Sequence, residues 1–310
     1  MKIGNIQLNK GAILAPMAGY TEVGFRAVCA HQGAVMTVTE MISAKGIMYN
    51  GEKTIELLHV SPYEKLCAVQ IFGSEPDIMA EAVKTDYLKN FPIIDINMGC
   101  PVSKVVKSGE GSALMKNPAL ASKIISAIKL AAGYRPVTVK FRLGWDNNSK
   151  NYIEFGKMAQ DSGADAITLH SRTRADFYSG QADVKAWEQL KNAVNIPVIA
   201  SGDIRDRHGY ENALKIVDGV MIGRGALGRP QIFGEILGNQ DLITTWEAIT
   251  LHIDELLKYY NDNYVAVNFR KHAGYYLKGI NGSREIKVKL NKAQSTQEIK
   301  QILSHFLHIG

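Results

Sequence analysis

Eight short apolar runs, several rich in β-branched residues, recur through the first 240 residues, each followed by a polar or glycine turn and then a helical stretch. This alternation constrains the chain more than any other feature, because strands separated by helices pair in parallel and need cover on both faces. The runs are AILAPM (12–17), AVMTVTEM (34–41), LCAVQIFG (66–73), IIDINMG (93–99), VTVKFRLG (137–144), AITLHSR (166–172), PVIASGD (197–203) and GVMIGRG (219–225). Helix starts are marked by Glu75-Pro76 after Ser74 and by Asn117 followed by Pro118, an N-cap with a first-turn proline. Eight such units predict an α/β fold of the (β/α)8 TIM-barrel type. A doubly wound open sheet is the competing architecture, since period alone does not say whether the sheet closes.

Past residue 240 the strand signal stops, and Trp246, Ile249, Ile253, Leu256, Leu257 and Tyr260 recur at helical spacing, as do Ile299, Ile302, Leu303, Phe306 and Leu307. The expected organisation is therefore a barrel over 1–243 and a small helical domain over 244–310, with Gly279 as a helix stop. No low-complexity linker separates the two, so they are expected to pack together. With 46% apolar and 21% charged residues over 310 positions, a disordered or fibrous chain is excluded. No run of 18 apolar residues exists, and Asn5, Gln7, Asn9 and Lys10 interrupt the N-terminal stretch where a signal peptide needs an unbroken apolar core. A cytoplasmic protein without a membrane segment is expected. Cys29, Cys67 and Cys100 are odd in number and widely spaced, which predicts neither a disulfide framework nor a metal site.

The net charge of +6 is concentrated. Residues 269–292 hold Arg270, Lys271, Lys278, Arg284, Lys287, Lys289 and Lys292 against Glu285 alone, the signature of a polyanionic partner or, alternatively, of a solvated helix face.

In a TIM barrel only the loops after the strands converge on one mouth, so chemistry is sought at the strand ends. Here those ends carry Pro16-Met17-Ala18, Glu40, Gln70, Asn97 with Cys100, Lys140 with Arg142, His170 with Arg172, Gly202-Asp203 and Gly223-Arg224. Polar or basic groups at nearly every exit point to a polar ligand. Small residues in SGDI and IGRGALG let backbone N–H groups approach an anion, as barrels often do with phosphate at the last two exits. Gly223, Gly225 and Gly228 also spell GxGxxG, but the dinucleotide reading needs a following strand ending in an acid, and that region reads as helix. Lys140 and His170, on neighbouring strands, could both reach a flat cofactor whose phosphate sits at strands seven and eight. A flavin fits: a cationic lysine stabilises the negative charge of its reduced ring, and Gln70 could bond the pyrimidine edge. The alternative is that Lys140 pairs with Glu40 inside the mouth. Cys29 and Cys67 read as buried and inert, whereas Cys100, in the turn NMGCP, is expected to be exposed at the mouth as either nucleophile or proton donor.

The stretches LAPMAGYTEVGFR, VQIFGSEP, DINMGCPVSKVVKSGEGSALMKNP, VKFRLGWD, ITLHSRT, ASGDI and GVMIGRGALGRP, with RKHAGYYLKGINGSREIK further on, closely resemble the flavin-dependent tRNA-dihydrouridine synthases, particularly their bacterial B-like branch. The resemblance implies an FMN-bound barrel that reduces the C5–C6 double bond of selected uridines in tRNA, with NADPH as electron source and NADH as the alternative. It implies that Pro16, Met17 and Ala18 line the flavin, that Gln70 and Lys140 bind its ring, and that His170 contacts cofactor and base. Ser201, Gly202, Asp203, Gly223 and Arg224 would hold ribityl and phosphate groups. Cys100 would give a proton to C5 as hydride reaches C6, and Asn97, Arg142 and Arg172 would surround the uracil. ASGDI stands where the family more often has ANGDI, so Ser201 replaces an amide, and somewhat altered FMN binding is expected.

A uridine stacked in folded tRNA must be turned out to reach a barrel mouth, at a cost of a few kcal/mol. Phosphate contacts from Arg270, Lys271, Lys287, Lys289 and Lys292 are expected to offset that cost, and the loop bearing Lys104 and Lys107 to close over the base. A monomer with no obligate protein partner is the default. Two other readings compete: a small-molecule flavin oxidoreductase resembling dihydroorotate dehydrogenase, and an RNA-binding protein that has kept the fold without catalysis.

Overall fold

A computed structural model describes residues 1–307, and within it the eight apolar runs form one parallel sheet. Two short strands precede them, β1 (Lys2–Ile3) and β2 (Ile6–Gln7), paired antiparallel. The barrel strands are β3 (Ile13–Leu14), β4 (Thr37–Ser43), β5 (Cys67–Phe72), β6 (Ile94–Met98), β7 (Val137–Arg142), β8 (Ala166–His170), β9 (Val198–Ser201) and β10 (Gly219–Ile222). Neighbours follow chain order from β4 to β10, and β10 then pairs with β3. The sheet closes through a parallel bridge between Ile13 and Met36, supported by Leu14 N–H on the Met36 carbonyl at 2.9 Å. Closure removes the sheet edges, and the barrel displaces the open-sheet alternative.

Each strand is shorter than the run that signalled it, because the polar ends of the runs turn out into the loops. The period of two explains the interior. Val69, Ile71, Ile94, Ile96, Val139, Phe141, Ile167, Leu169 and Ile222 face outward into one apolar cluster shared with the surrounding helices. The alternate positions, Gln70, Asn97, Lys140, Arg142, His170 and Ser201, face a common cavity. At the other end, Ile3 and Leu8 bury against Ile13, Met36, Ala68, Ile93 and Ile199, so the N-terminal hairpin plugs the barrel. That hairpin, two strands of two residues, has no period to reveal it.

Asn117 caps the helix Pro118–Ala132 through the Leu120 N–H, as its sequence suggests. The helix Pro76–Lys84 begins at its proline, but Glu75 is the cap residue and neither it nor Ser74 provides a side-chain cap bond.

After the barrel come helices Thr245–Leu257, Asp262–Tyr276, Ser283–Leu290 and Thr296–Phe306. The first opens with a capping box between Thr244 and Glu247. Gly279 stands just past the second helix in the left-handed region, at φ +85°. Residues 308–310 of the expected helical region lie outside the described residues. The helices bury Ile249, Ile253, Val265, Phe269, Ile299 and Leu303 together with Val23 and Val28 of the barrel helix Val23–His31. Gly24 makes that approach feasible, since a Cβ there would lie 2.7 Å from the His252 carbonyl oxygen. Polar ties add to the contact: Ser61 Oγ donates to Glu255 at 2.8 Å, and the Tyr259 and Tyr260 hydroxyls donate to the Val60 and Glu56 carbonyls. Among the described residues, no helix is long and apolar enough to cross a membrane.

Candidate active site

The strand exits surround a cavity of about 410 Å³ at the C-terminal mouth of the barrel, within the range of small-molecule and cofactor sites. Pro16, Met17 and Ala18 follow β3 into it, and Gln70, Asn97, Lys140, Arg142 and His170 project from β5 to β8. Cys100 lies on the turn after β6, while Ser201, Gly202, Asp203, Gly223 and Arg224 come from the last two exits.

Asn97 holds the Cys100 turn in shape. Its Oδ1 accepts the N–H groups of Gly99 and Cys100 at 3.1 and 2.9 Å, and its amide donates to Gln70 Oε1 at 2.7 Å. Gln70 in turn donates to Asp95 at 2.6 Å, which also accepts the Thr138 hydroxyl. The Cys100 carbonyl accepts from Ser112, and Gly111, at φ +59°, keeps clear of it where a Cβ would lie only 2.9 Å away. The thiol is half-buried rather than freely exposed. Burial pushes it above the usual thiol range, against the pull of the Val102 N–H and of Arg142 and Lys140. Cys29 and Cys67 are buried, as read from the sequence.

Lys140 has no partner for its amine among the described residues. Glu40 instead accepts the Gly19 N–H at 2.6 Å, so the expected alternative of a Lys140–Glu40 pair does not occur. Burial, helped by the Arg142 charge, brings Lys140 down to about 8, while burial raises Asp95 to about 6. His170 is also buried without a side-chain bond. Burial and the charges of Lys140 and Arg142 hold it well below the ordinary histidine range, so its ring is neutral.

Asp203, at φ +51°, anchors the far end of the cavity. Arg172 pairs with it, and Arg205 and Arg224 approach it at 3.3 Å. One carboxylate among three guanidiniums leaves net positive charge, the electrostatics of an anion site. The Arg224 guanidinium also lies 4.5 Å from the Tyr178 ring centroid.

Several expected contacts fall elsewhere. Arg142 reaches the cavity, yet its guanidinium donates to the carbonyls of Gly99, Thr173 and Phe177, tying the Cys100 turn to the loop after β8. Arg172 does not line the cavity; besides Asp203, it donates to the Ser179 and Gly180 carbonyls. Lys104 and Lys107 are exposed on the short helix Ser103–Lys107, outside the lining. Arg270 donates to the Ala293 carbonyl at 2.6 Å, and Lys271 stands 5.8 Å from the Tyr20 ring centroid. Lys289 and Lys292 are exposed, and Lys287 half-buried, along and just after the helix Ser283–Leu290. The structure adds Tyr20, Tyr178, Arg205 and Tyr275 to the lining. Tyr20 and Tyr275 lie inside the quoted motifs, but an aromatic in a loop or at a helix end carries no period that singles it out. Gly228, at φ +73°, serves packing, since a Cβ there would lie 2.3 Å from the Tyr275 carbonyl oxygen.

A buried polar cluster joins the barrel to the helices beside this cavity. Glu22 accepts His252 Nε2–H at 2.6 Å and His272 Nε2–H at 3.1 Å, and the Tyr276 hydroxyl reaches His252 Nδ1 at 3.2 Å. Although burial works against it, Glu22 is held well below the usual carboxylate range by His272 and His252, and burial brings His252 down to about 4.

The dihydrouridine synthase family model matches residues 13–309. A probable tRNA-dihydrouridine synthase of Rickettsia conorii is 37% identical, covering 99% of this chain and 96% of that protein. The tRNA-dihydrouridine synthase B of Pseudomonas aeruginosa is 38% identical over 96% of this chain and 92% of its own length, and that of Vibrio parahaemolyticus 42% identical over 90% and 89%. Among solved structures, the old yellow enzyme homologue of Zymomonas mobilis aligns with a TM-score of 0.55 at 11% identity, covering 79% of this chain and 93% of that one, a likeness of fold alone. With the family model spanning nearly the whole chain and relatives of this identity along its length, the protein belongs to the dihydrouridine synthase family, in its bacterial B-like branch, and is an oxidoreductase.

Proposed function

We propose that the protein is a cytoplasmic, FMN-dependent tRNA-dihydrouridine synthase that reduces the C5–C6 double bond of uridines in tRNA with electrons from NADPH, NADH being the alternative donor. The observation that carries this reading is one cavity combining the Cys100 thiol, the unpartnered Lys140 amine and a neutral His170 with an arginine-rich end. These residues fit FMN. Lys140, Gln70 and His170 suit the heteroatoms of its ring, Met17 and the backbone of Pro16 and Ala18 its flat surface, and Ser201, Gly202, Gly223 and Arg224 its ribityl phosphate. The chemistry a flavin would supply there is the hydride that reaches C6 of the uracil. Cys100 supplies the Sγ proton to C5, and the thiolate left behind recovers a proton from solvent before the next turnover. The basic helices give tRNA a salt-dependent, sequence-independent hold.

Lys140 provides a check independent of turnover. A bound group that shares its proton raises the pKa from about 8, so FMN affinity falls as pH rises above about 8, where the free amine loses its charge first. Lys140→Met is expected to lower FMN affinity about tenfold near neutral pH and to flatten this dependence. Flavin-fluorescence titrations near pH 7 and pH 10 read both effects; equal affinity at the two pH values in the unaltered protein contradicts the assignment. The function itself is tested by incubating the protein with FMN, NADPH and unmodified tRNA. Nucleosides from the digested RNA are expected to include uridine heavier by two hydrogen atoms, and none after prolonged incubation contradicts the reading.

A further inference from the structure

The helix Asp262–Tyr276 contributes to the cavity, although it belongs to the region outside the barrel. Tyr275 is half-buried and lines the cavity beside Tyr20 from the loop after β3. The two rings meet edge to face with centroids 5.6 Å apart. Tyr20 also meets the His272 ring edge to face at 5.7 Å, and His272 bonds Glu22. One continuous set of contacts thus runs from the buried cluster to the cavity wall. A second contact fixes the helix end: Gly228 packs its backbone against Tyr275, where any Cβ would clash.

Resting on the tRNA reading, we propose that Tyr275 and Tyr20 form an aromatic wall, built jointly by the barrel and the helical region, that positions the uracil ring of the flipped nucleotide for proton transfer from Cys100. Through its edge-to-face contact with Tyr20, His272 ties the buried Glu22–His252–His272 cluster to this wall. A base turned out of its helix loses its stacking partners, and aromatic side chains replace them without selecting sequence. Without that helix the cavity loses the Tyr275 side of its lining.

The test uses full-length protein loaded with FMN and reduced under anaerobic conditions. Tyr275→Ala, Tyr275→Phe and Tyr20→Ala are compared with the unaltered protein for flavin affinity, tRNA affinity by filter binding, and reoxidation rate at saturating tRNA. A small quinone serves as a second acceptor. Tyr275→Ala and Tyr20→Ala are expected to slow reoxidation by tRNA about tenfold or more, with flavin affinity, tRNA affinity and the quinone rate within about twofold. Tyr275→Phe, which keeps the ring, is expected to stay near the unaltered rate. A tRNA rate within twofold after Tyr275→Ala overturns the proposal, as does an equal loss with quinone or a loss of flavin affinity, which would assign the wall to the cofactor. Unaltered protein that tRNA fails to reoxidise overturns the functional reading itself.

Discussion

Cys100→Ala is expected to slow reduction of tRNA by about 10²–10⁴-fold, the usual contribution of a positioned general acid, while flavin and tRNA binding persist. The geometry is specific on this point. Asn97 and Ser112 fix the backbone of the turn on both sides of the cysteine, so the thiol enters the cavity in a set direction. Its burial favours the neutral S–H form over the thiolate, which suits a group that must give a proton and not one that must attack. The pH profile follows with a defined sign: the rate holds while the thiol is protonated and falls as pH rises past its elevated pKa. Stopped-flow measurement separates the steps, because reduction by NADPH is expected to be unchanged in the variant. Unchanged turnover with tRNA would remove Cys100 from the mechanism.

Glu64→Leu is expected to destabilise the fold by about 3–5 kcal/mol, through the charge it leaves behind. Arg26 is fully buried, with Nε donating to Glu64 at 2.8 Å and further bonds to the Thr21 and His59 carbonyls. Glu64 also accepts the Thr37 hydroxyl and the Ser61 N–H. Ser61 continues to Glu255 of the helical region, so this network underlies the same interface that carries Glu22, His252 and His272. Removing the carboxylate strands a buried guanidinium whose charged form Glu64 favours against the opposing effect of burial. The second substitution Arg26→Met is expected to recover much of the loss, since an apolar pair of similar volume has no uncompensated charge. Denaturant midpoints of the single and double variants decide: a single variant within 1 kcal/mol of the unaltered protein contradicts the account.

The barrel was legible because its determinants are local and periodic. β-branched runs such as VTVKFR alternate inward and outward residues, and that same period carries Lys140 to the mouth, with Gln70, Asn97 and His170 following it on other strands. Closure was not legible, because it depends on the Ile13–Met36 bridge between segments whose pairing leaves no sequence pattern. Chemistry at strand ends could be read residue by residue, while the direction of each side chain could not. Arg142 and Arg172 are the right residue types in the right places, yet Arg142 spends its donors on the carbonyls of Gly99 after β6 and of Thr173 and Phe177 after β8, and Arg172 on Asp203 and the carbonyls of Ser179 and Gly180. Glu22 lies more than two hundred residues from both His252 and His272, and packing of the helices against the barrel, with Gly24 close on the His252 backbone, brings them together. Tyr275 reaches the cavity by the same route.

On the proposed function, one cavity passes electrons from a nicotinamide donor to tRNA through a bound flavin. The direct measurement is a visible spectrum of the FMN-loaded protein under anaerobic conditions, taken after NADPH and again after unmodified tRNA. The flavin bands are expected to bleach with NADPH and to return when tRNA is added. Bands that bleach and stay bleached with tRNA present, but return with a free pyrimidine or quinone, would contradict it.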